Sequence, residues 1–365
     1  MPDSEEQACY ACPDTHEPLV REVSQLVCQR TGRRFSIVGG IPYFLRYDPV
    51  EDAESIDRLR SLNETARKEG WRVALERNWP DVVGYVTDKG RLAFIDLLPV
   101  SEESRVLEIG AGLGQHTVAL AQQARVVHAL EVVPGQAEFV AQRCVQSGFK
   151  NVFVACGGDD CCLPYADGCF DLVVANLVFE WCGTRERRLR PMEAQQRLLH
   201  EIRRVLKSEG VLFLATKNRY AIRYVLGGRD EHMNGMRFGN ALPRWMGSLC
   251  ARRQRRQTRG MLHSYGALQK SLSLSGFGMS RSYWAIPDMR YPKLYVPADP
   301  PSIQKVQDNK EFFKGESRSV QLMRLVPARL VKFVAPGLVF LARATGGPKG
   351  SCTAKPSRSH ACTQT

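Results

Sequence analysis

Between Arg105 and Asn176 lie four short stretches whose glycines and carboxylates have the types and spacing to hold a polar small molecule. The first reads Arg105-Val-Leu-Glu108-Ile-Gly110-Ala-Gly112-Leu-Gly114-Gln-His116, an apolar run, a glycine loop and the start of a helical pattern. Without a Cβ, glycines let the backbone turn tightly and come close to a ligand, and the helix that follows offers amide donors with no partner of their own. Glu108, just before the loop, can pair with the amino group of an amino-acid ligand. Seventeen residues beyond Gly114 comes Glu131, closing a second apolar run, where two acceptor oxygens suit the diol of a ribose. Gly158-Asp159-Asp160 follows a third run and offers a carboxylate to an exocyclic amine such as that of adenine, and Cys169-Phe170-Asp171-Leu-Val-Val-Ala-Asn176 is the fourth stretch.

The elements that must position these residues alternate. β-Branched runs at Arg105 to Ile109, Arg125 to Leu130, Val152 to Ala155, Leu172 to Ala175 and Val211 to Ala215 are separated by helical patterns from about Gln115, at Gly135 to Ser147 and at Glu193 to Leu206. Such alternation predicts an α/β, doubly wound, mainly parallel sheet with right-handed crossovers. The turn Lys207-Ser208-Glu209-Gly210 precedes the fifth strand. A helix over Gly266 to Ser275, a strand over Gly278 to Ile286 and another over Gly337 to Arg343 complete seven strands. We therefore expect residues 101–344 to form the main domain, with long insertions at about 219–261 and 287–330 serving as lids. Residues 49–100 read as a helical extension, with Ile56, Leu59 and Leu62 on one face and Leu92, Ile95 and Leu98 on another. Residues 1–48 read as a small β-rich module, and 345–365, rich in Gly, Ser, Thr, Pro and Lys, as a disordered tail.

With those residues in view, the stretch from about Ser101 to Asn218 resembles the class I S-adenosylmethionine-dependent methyltransferases, a Rossmann-like fold. It has the family's acidic residue and glycine loop, ribose acid, adenine acid and Phe-Asp-Leu-Val strand in order, and Gly210-Val-Leu-Phe-Leu is similar to its fifth strand. The resemblance implies that S-adenosyl-L-methionine is the cofactor. It further implies that Gly110, Gly112 and Gly114 cradle the methionine moiety, Glu131 holds the ribose, Asp159 faces adenine and Glu108 positions the cofactor; Asp160 and Asn176 complete the candidate set. The rival, a dinucleotide site, needs Gly-x-Gly-x-x-Gly or Ala, and the sixth position is Gln115 counted from Gly110 and Thr117 counted from Gly112.

Methyl transfer is an in-line displacement at a carbon already activated by sulfonium, so alignment supplies most of the rate, and a base is needed only when the acceptor must first lose a proton. After the fourth strand the chain reads Asn176-Leu-Val-Phe-Glu180-Trp181 in place of the Asn or Asp-Pro-Pro-Tyr or Phe turn of amino-directed nucleic-acid methyltransferases, which argues against exocyclic amines of DNA. Glu180 and Trp181 are expected at the cavity mouth. Farther on, Asn218, Tyr220 and the run Asp230-Glu231-His232 resemble an insertion in a subgroup of bacterial methyltransferases associated with saccharides and secondary metabolites. On that footing His232 is the first candidate for a general base, with Glu231 and Glu180 as further catalytic candidates and Tyr220, Asn218 and Trp181 as substrate contacts. The bland alternative is a solvated charge run in a surface loop.

Cys9-x-x-Cys12 and Cys28-x-x-Thr31, followed by Gly39-Gly-Ile-Pro-Tyr-Phe, resemble a zinc-ribbon-like segment fused to some methyltransferases. The fourth position is Thr31, a poor ligand where four Cys or His donors are usual, so the ribbon is degenerate and zinc on Cys9, Cys12 and Cys28 would need a substitute such as His16. Twelve cysteines in a 365-residue chain whose start shows no secretory pattern fit reduced thiols in a cytoplasm. With 44% hydrophobic and 24% charged residues the composition is globular, and Phe333 to Ala342, the longest apolar stretch near the C-terminus, is too short to span a membrane and reads as a buried strand. The charge of +13, concentrated at Arg185 to Arg190, Arg252 to Arg259 and the tail, leaves RNA as a possible partner. The expectation is a cytoplasmic enzyme acting on a small hydroxylated metabolite or saccharide; the alternatives are an RNA methyltransferase and a cofactor-binding adaptor or activator without catalysis. The oligomeric state is not legible.

Overall fold

The computed structural model describes residues 9–47, 52–184, 189–233, 235–240, 242, 246 and 260–346. Four short strands come first: β1 (Val20–Arg21), β2 (Gln25–Val27), β3 (Arg34–Val38) and β4 (Ile41–Pro42), an antiparallel sheet in chain order. Helices α1 (Ala53–Glu69), α2 (Trp71–Asn78) and α3 (Pro80–Thr87) follow. Asp52 caps α1 by accepting from Ser55 N, and Leu59 and Leu62 face inward onto Phe139, whereas Ile56, grouped with them by spacing, is 41% exposed. Phe94, Ile95 and Leu98 close the opposite face of the sheet, Phe94 stacking on Phe213 with centroids 4.7 Å apart.

The central sheet then builds by alternation: β5 (Arg105–Ile109), α4 (Gln115–Ala121), β6 (Val126–Glu131), α5 (Pro134–Gln146), β7 (Val152–Cys156), β8 (Phe170–Asn176), α6 (Pro191–Val205) and β9 (Leu206–Lys217). Every residue of β6 is buried, as a parallel strand covered on both faces must be. Beyond β9 come the short helix α7 (Ile222–Val225) and the hairpin β10 (Arg229–Asp230) with β11 (Met236–Arg237). Next are α8 (Tyr265–Leu274), β12 (Phe277–Ile286), β13 (Leu294–Pro297), α9 (Pro300–Asp308), α10 (Arg318–Leu322), α11 (Ala328–Val334) and β14 (Gly337–Ala344). The strand order is β13-β12-β14-β9-β8-β5-β6-β7, with β7 through β9 parallel and β14 inserted antiparallel between β9 and β12. This is the Rossmann-like α/β arrangement expected, with a small antiparallel sheet at the N-terminus.

Three details differ from the sequence reading. An eighth strand, β13, forms at the sheet's edge inside the second insertion, pairing Tyr283 to Ile286 of β12 with Leu294 to Pro297. The apolar stretch Phe333 to Ala342 is divided: Pro336, which cannot continue a helix, separates the end of α11 from β14. The Lys207–Gly210 turn is a bulge within β9, since Leu206 pairs with Phe170 but the next partner pair is Val211 with Leu172, and Glu209 takes φ 65°. The basic run Arg252 to Arg256, Arg185 to Arg188 and the tail from 347 lie outside the described residues, as does part of the 219–261 insertion.

The N-terminal sheet shares its core with the main domain. Cys9, Tyr10, Cys12, Leu26, Cys28, Phe35 and Phe44 form one apolar cluster with Leu107, Ile109, Tyr165 and Phe170. Past β4 the chain runs along the outer edge of β7, where Phe44 N donates to Cys156 O at 2.7 Å.

Candidate functional site

All three loop glycines have positive φ, Gly110 at 76°, Gly112 at 56° and Gly114 at 76°. At Gly110 the freedom is needed twice, because a Cβ there would also stand 2.1 Å from Val178 Cγ2. The loop is tied to its neighbour strand by Gly110 N to Leu130 O at 2.8 Å and by Gly112 N to Glu131 Oε2 at 2.8 Å. Glu131, 4% exposed, also takes Val132 N and Val133 N on Oε1, so backbone amides fix the orientation of its carboxylate. Glu108 is buried beneath the loop; its Oε2 accepts from Thr117 Oγ1 at 2.5 Å, while its Oε1 accepts no hydrogen bond and lies 3.6 Å from His116 Nδ1.

Asp159 follows the turn after β7. Its Oδ2 accepts from Arg46 N and Tyr47 N at 2.9 and 2.8 Å, and its buried Oδ1 has no partner. Asp160 turns the other way, receiving Cys162 N at 2.9 Å and pairing with the Arg46 guanidinium; burial pushes its carboxyl up against the pull of that cation. Asn176 ends β8 with an unpartnered buried Oδ1. Orphaned oxygens on Glu108, Asp159 and Asn176 around a cradle of positive-φ glycines fit a ligand rich in donors, as an amino-acid arm and an adenine amine are.

The acceptor candidates gather beside this cradle. Glu180, 1% exposed, receives Thr216 Oγ1 at 2.7 Å on Oε2 and leaves Oε1 unpartnered; burial raises its carboxyl, against opposing pulls from Thr216, His232 and Lys217. His232, also 1% exposed, donates from Nδ1 to Asp230 Oδ1 at 3.0 Å, its backbone N reaches the same oxygen, and its Nε2 has no partner. The imidazole lies 4.7 Å from the Trp181 ring, centroid to centroid. Gly260 threads between these groups: a Cβ there would be 2.3 Å from Glu180 O and 3.3 Å from His232 Cδ2. Lys217, at the end of β9, is drawn down to about 8 by burial and then by Arg290. Tyr224, buried with an unpartnered hydroxyl, is raised by burial and by the charges of Asp230 and Glu180.

Some candidates have other work. Glu231 pairs with Lys217 and, at 3.2 Å, with Arg290, so its charge is occupied while its neighbour His232 carries the open nitrogen. Asn218, fully buried, is not positioned for a substrate: its Nδ2 donates to Phe333 O and Ala335 O at 2.9 and 3.0 Å and its Oδ1 accepts Tyr220 N, fastening β9 to the end of α11. Tyr220 is 38% exposed with the Arg219 guanidinium above its ring. The cysteines do not assemble as a metal set. Cys9 hydrogen-bonds Cys169, which together with burial holds its thiol well above the usual range. Pairing of the neighbouring backbone with Tyr165 and Ala166 places Cys9 in the core. Burial opposes ionisation of Cys28, but hydrogen bonds with Thr31, Thr15 and Cys12 bring it down to about 7. His16, the possible substitute, faces Glu201 at 3.4 Å, and among the described residues no group of three or more His, Cys, Asp or Glu is placed to hold a metal.

Thr117, Thr216, Lys217 and Tyr224 were not singled out from sequence. Their partners lie 9 to 36 residues away for the two threonines, with no local pattern to mark them.

A glycine cradle and carboxylates at the C-terminal edge of parallel strands define a nucleoside-binding α/β domain. Residues 107–214 match the family described as methyltransferase domain, in line with the methyltransferase resemblance of the sequence. Over 170 residues the chain is 31% identical to the malonyl-[acyl-carrier protein] O-methyltransferase of Halorhodospira halophila, covering 45% of this chain and 50% of that protein. It is 31% identical over 123 residues to the biotin biosynthesis bifunctional protein BioHC of Cellvibrio japonicus, covering 33% of this chain and 22% of that one. The chain thus spans half or less of the length of these relatives. A solved complex of the Haloferax volcanii Trm112 methyltransferase activator with a methyltransferase matches 82% of this chain and 100% of its own at 16% identity, with a TM-score of 0.43.

Proposed function

We propose that the chain transfers a methyl group from S-adenosyl-L-methionine to a hydroxyl of a small metabolite or saccharide. The cofactor supplies an electrophilic methyl carbon on a sulfonium centre. Glu108, Glu131, Asp159 and the three loop glycines hold it, with Asp160 and Asn176 completing the pocket wall. The observation that carries the acceptor reading is the buried Asp230–His232 pair. Asp230 fixes the imidazole with its proton on Nδ1, which leaves Nε2 as an acceptor and stabilises the cation formed once a proton arrives. A hydroxyl needs that service, because it must lose its proton as it attacks. Tyr224 can donate to an acceptor oxygen and Glu180, its carboxyl raised by burial, presents an unpartnered Oε1, while Trp181 and Tyr220 wall the opening.

A carboxylate acceptor is the second reading, favoured by similarity to a malonyl-[acyl-carrier protein] O-methyltransferase. It needs no base, since a carboxylate attacks already ionised. Incubation with methyl-labelled cofactor and fractionated small metabolites and RNA distinguishes these. Label in small molecules that survives alkali, as an ether does, supports the hydroxyl reading; alkali-labile label marks an ester, and label in RNA overturns both. Turnover without any added protein excludes a purely adaptor role.

A further inference from the structure

We infer that the N-terminal segment Arg46–Tyr47 is part of the cofactor site, as a positioning element that gives Asp159 its selectivity for an amino-purine; this rests on the cofactor reading above. Asp159 is 5% exposed, and what fixes its carboxylate comes from more than a hundred residues earlier in the chain. Arg46 N and Tyr47 N both donate to Oδ2. That leaves Oδ1 as a buried acceptor with no hydrogen bond. An oxygen in that state favours a ligand donor such as an exocyclic amine and opposes a carbonyl at the same place, because two facing acceptors would both lose their water without compensation.

The segment is itself held at several points. Tyr43 bridges to Cys156 alongside the outer edge of β7, and Phe44 N donates to Cys156 O. Phe44 packs so closely on the following turn that a Cβ on Gly157 would be 2.9 Å from Phe44 Cβ. The Arg46 guanidinium then joins Asp160 to Asp14, and Asp14 is held in turn by Arg33 at 2.5 Å. The N-terminal sheet, the loop after β7 and the candidate adenine acid are therefore one linked unit. Arg46 acts through the backbone it anchors.

The test compares binding of S-adenosylhomocysteine with that of its 6-oxo counterpart, S-inosylhomocysteine, by calorimetry on the full chain. Wild type is expected to prefer the adenosyl compound by roughly tenfold or more, the scale of one hydrogen bond to a charged group. Arg46→Ala is expected to lose most of that preference through weaker adenosyl binding, raising KM for the cofactor while kcat at saturation holds, and Arg46→Lys to recover part of it. Asp159→Asn, which presents an amide able to donate to a 6-oxo group, is expected to shift preference toward the inosyl compound. An unchanged adenosyl-to-inosyl ratio in Arg46→Ala overturns the inference. Failure of wild type to bind either compound overturns the cofactor reading on which it stands.

Discussion

The cofactor half and the acceptor half of this site sit side by side along one sheet edge, yet they are held together differently. On the cofactor side, two of the carboxylates are oriented by main-chain amides alone among the hydrogen bonds described: Glu131 by Gly112, Val132 and Val133, and Asp159 by Arg46 and Tyr47. On the acceptor side, side chains hold side chains: Thr216 on Glu180, Asp230 on His232, and Lys217 with Arg290 on Glu231. An amide network is tuned by loop geometry and tolerates exchange of surrounding side chains. A side-chain network can be rewritten one residue at a time, which suits the part of an enzyme that must differ between acceptors.

The contrast can be broken from either side. The largest effect is expected on the acceptor half: His232→Gln, which keeps size but removes the basic nitrogen, should lower kcat by about 10²- to 10⁴-fold while cofactor affinity measured by calorimetry stays as in wild type. Retained turnover would favour an acceptor that arrives already ionised. Next, Gly110→Ala should be costly on the cofactor half through its backbone. The left-handed φ costs about 1–2 kcal/mol, and the overlap with Val178 a further 1–3 kcal/mol or so, read as a lowered denaturation midpoint. Adding Val178→Ala should restore only the second contribution, and full restoration would show that φ at Gly110 is not limiting. The smallest effect concerns Glu180. Burial raises its carboxyl from the ordinary 4.5, so the folded chain holds a proton that the unfolded chain releases. Its contribution to stability is complete below about 4.5 and is lost as pH rises through the raised folded value. Chemical denaturation over a pH series should show that decline in wild type and not in Glu180→Gln; matching curves would mean the carboxyl is not buried as described.

The same contrast explains what could be read from the chain. The glycine loop, the acids at the end of β6 and after β7 and the alternating strands were legible because main-chain geometry demands particular residue types at fixed spacing. On the acceptor half Glu180, Trp181, Tyr220, Glu231 and His232 were singled out, whereas their partners Thr216 and Lys217 were not. Asn218 was misread as a substrate contact because the carbonyls that occupy it, on Phe333 and Ala335, lie 115 and 117 residues away. Cys9 was grouped with Cys12 and Cys28 by a familiar spacing, whereas its sulfur partner, Cys169, lies across the fold. The strand β13 escaped because four residues in a Pro-rich insertion carry too short a pattern to separate from loop.

The joint between the first sheet and the main domain carries a consequence for stability. A sheet of such short strands cannot bury enough surface to stand alone. Here Tyr10 stacks on Tyr165 with centroids 5.5 Å apart, and the cluster continues into Phe170 and Ile109. Aromatic packing against the main domain supplies the cohesion that the small sheet lacks. The sheet is thereby a wall of that domain, unable to melt without exposing the neighbours it covers.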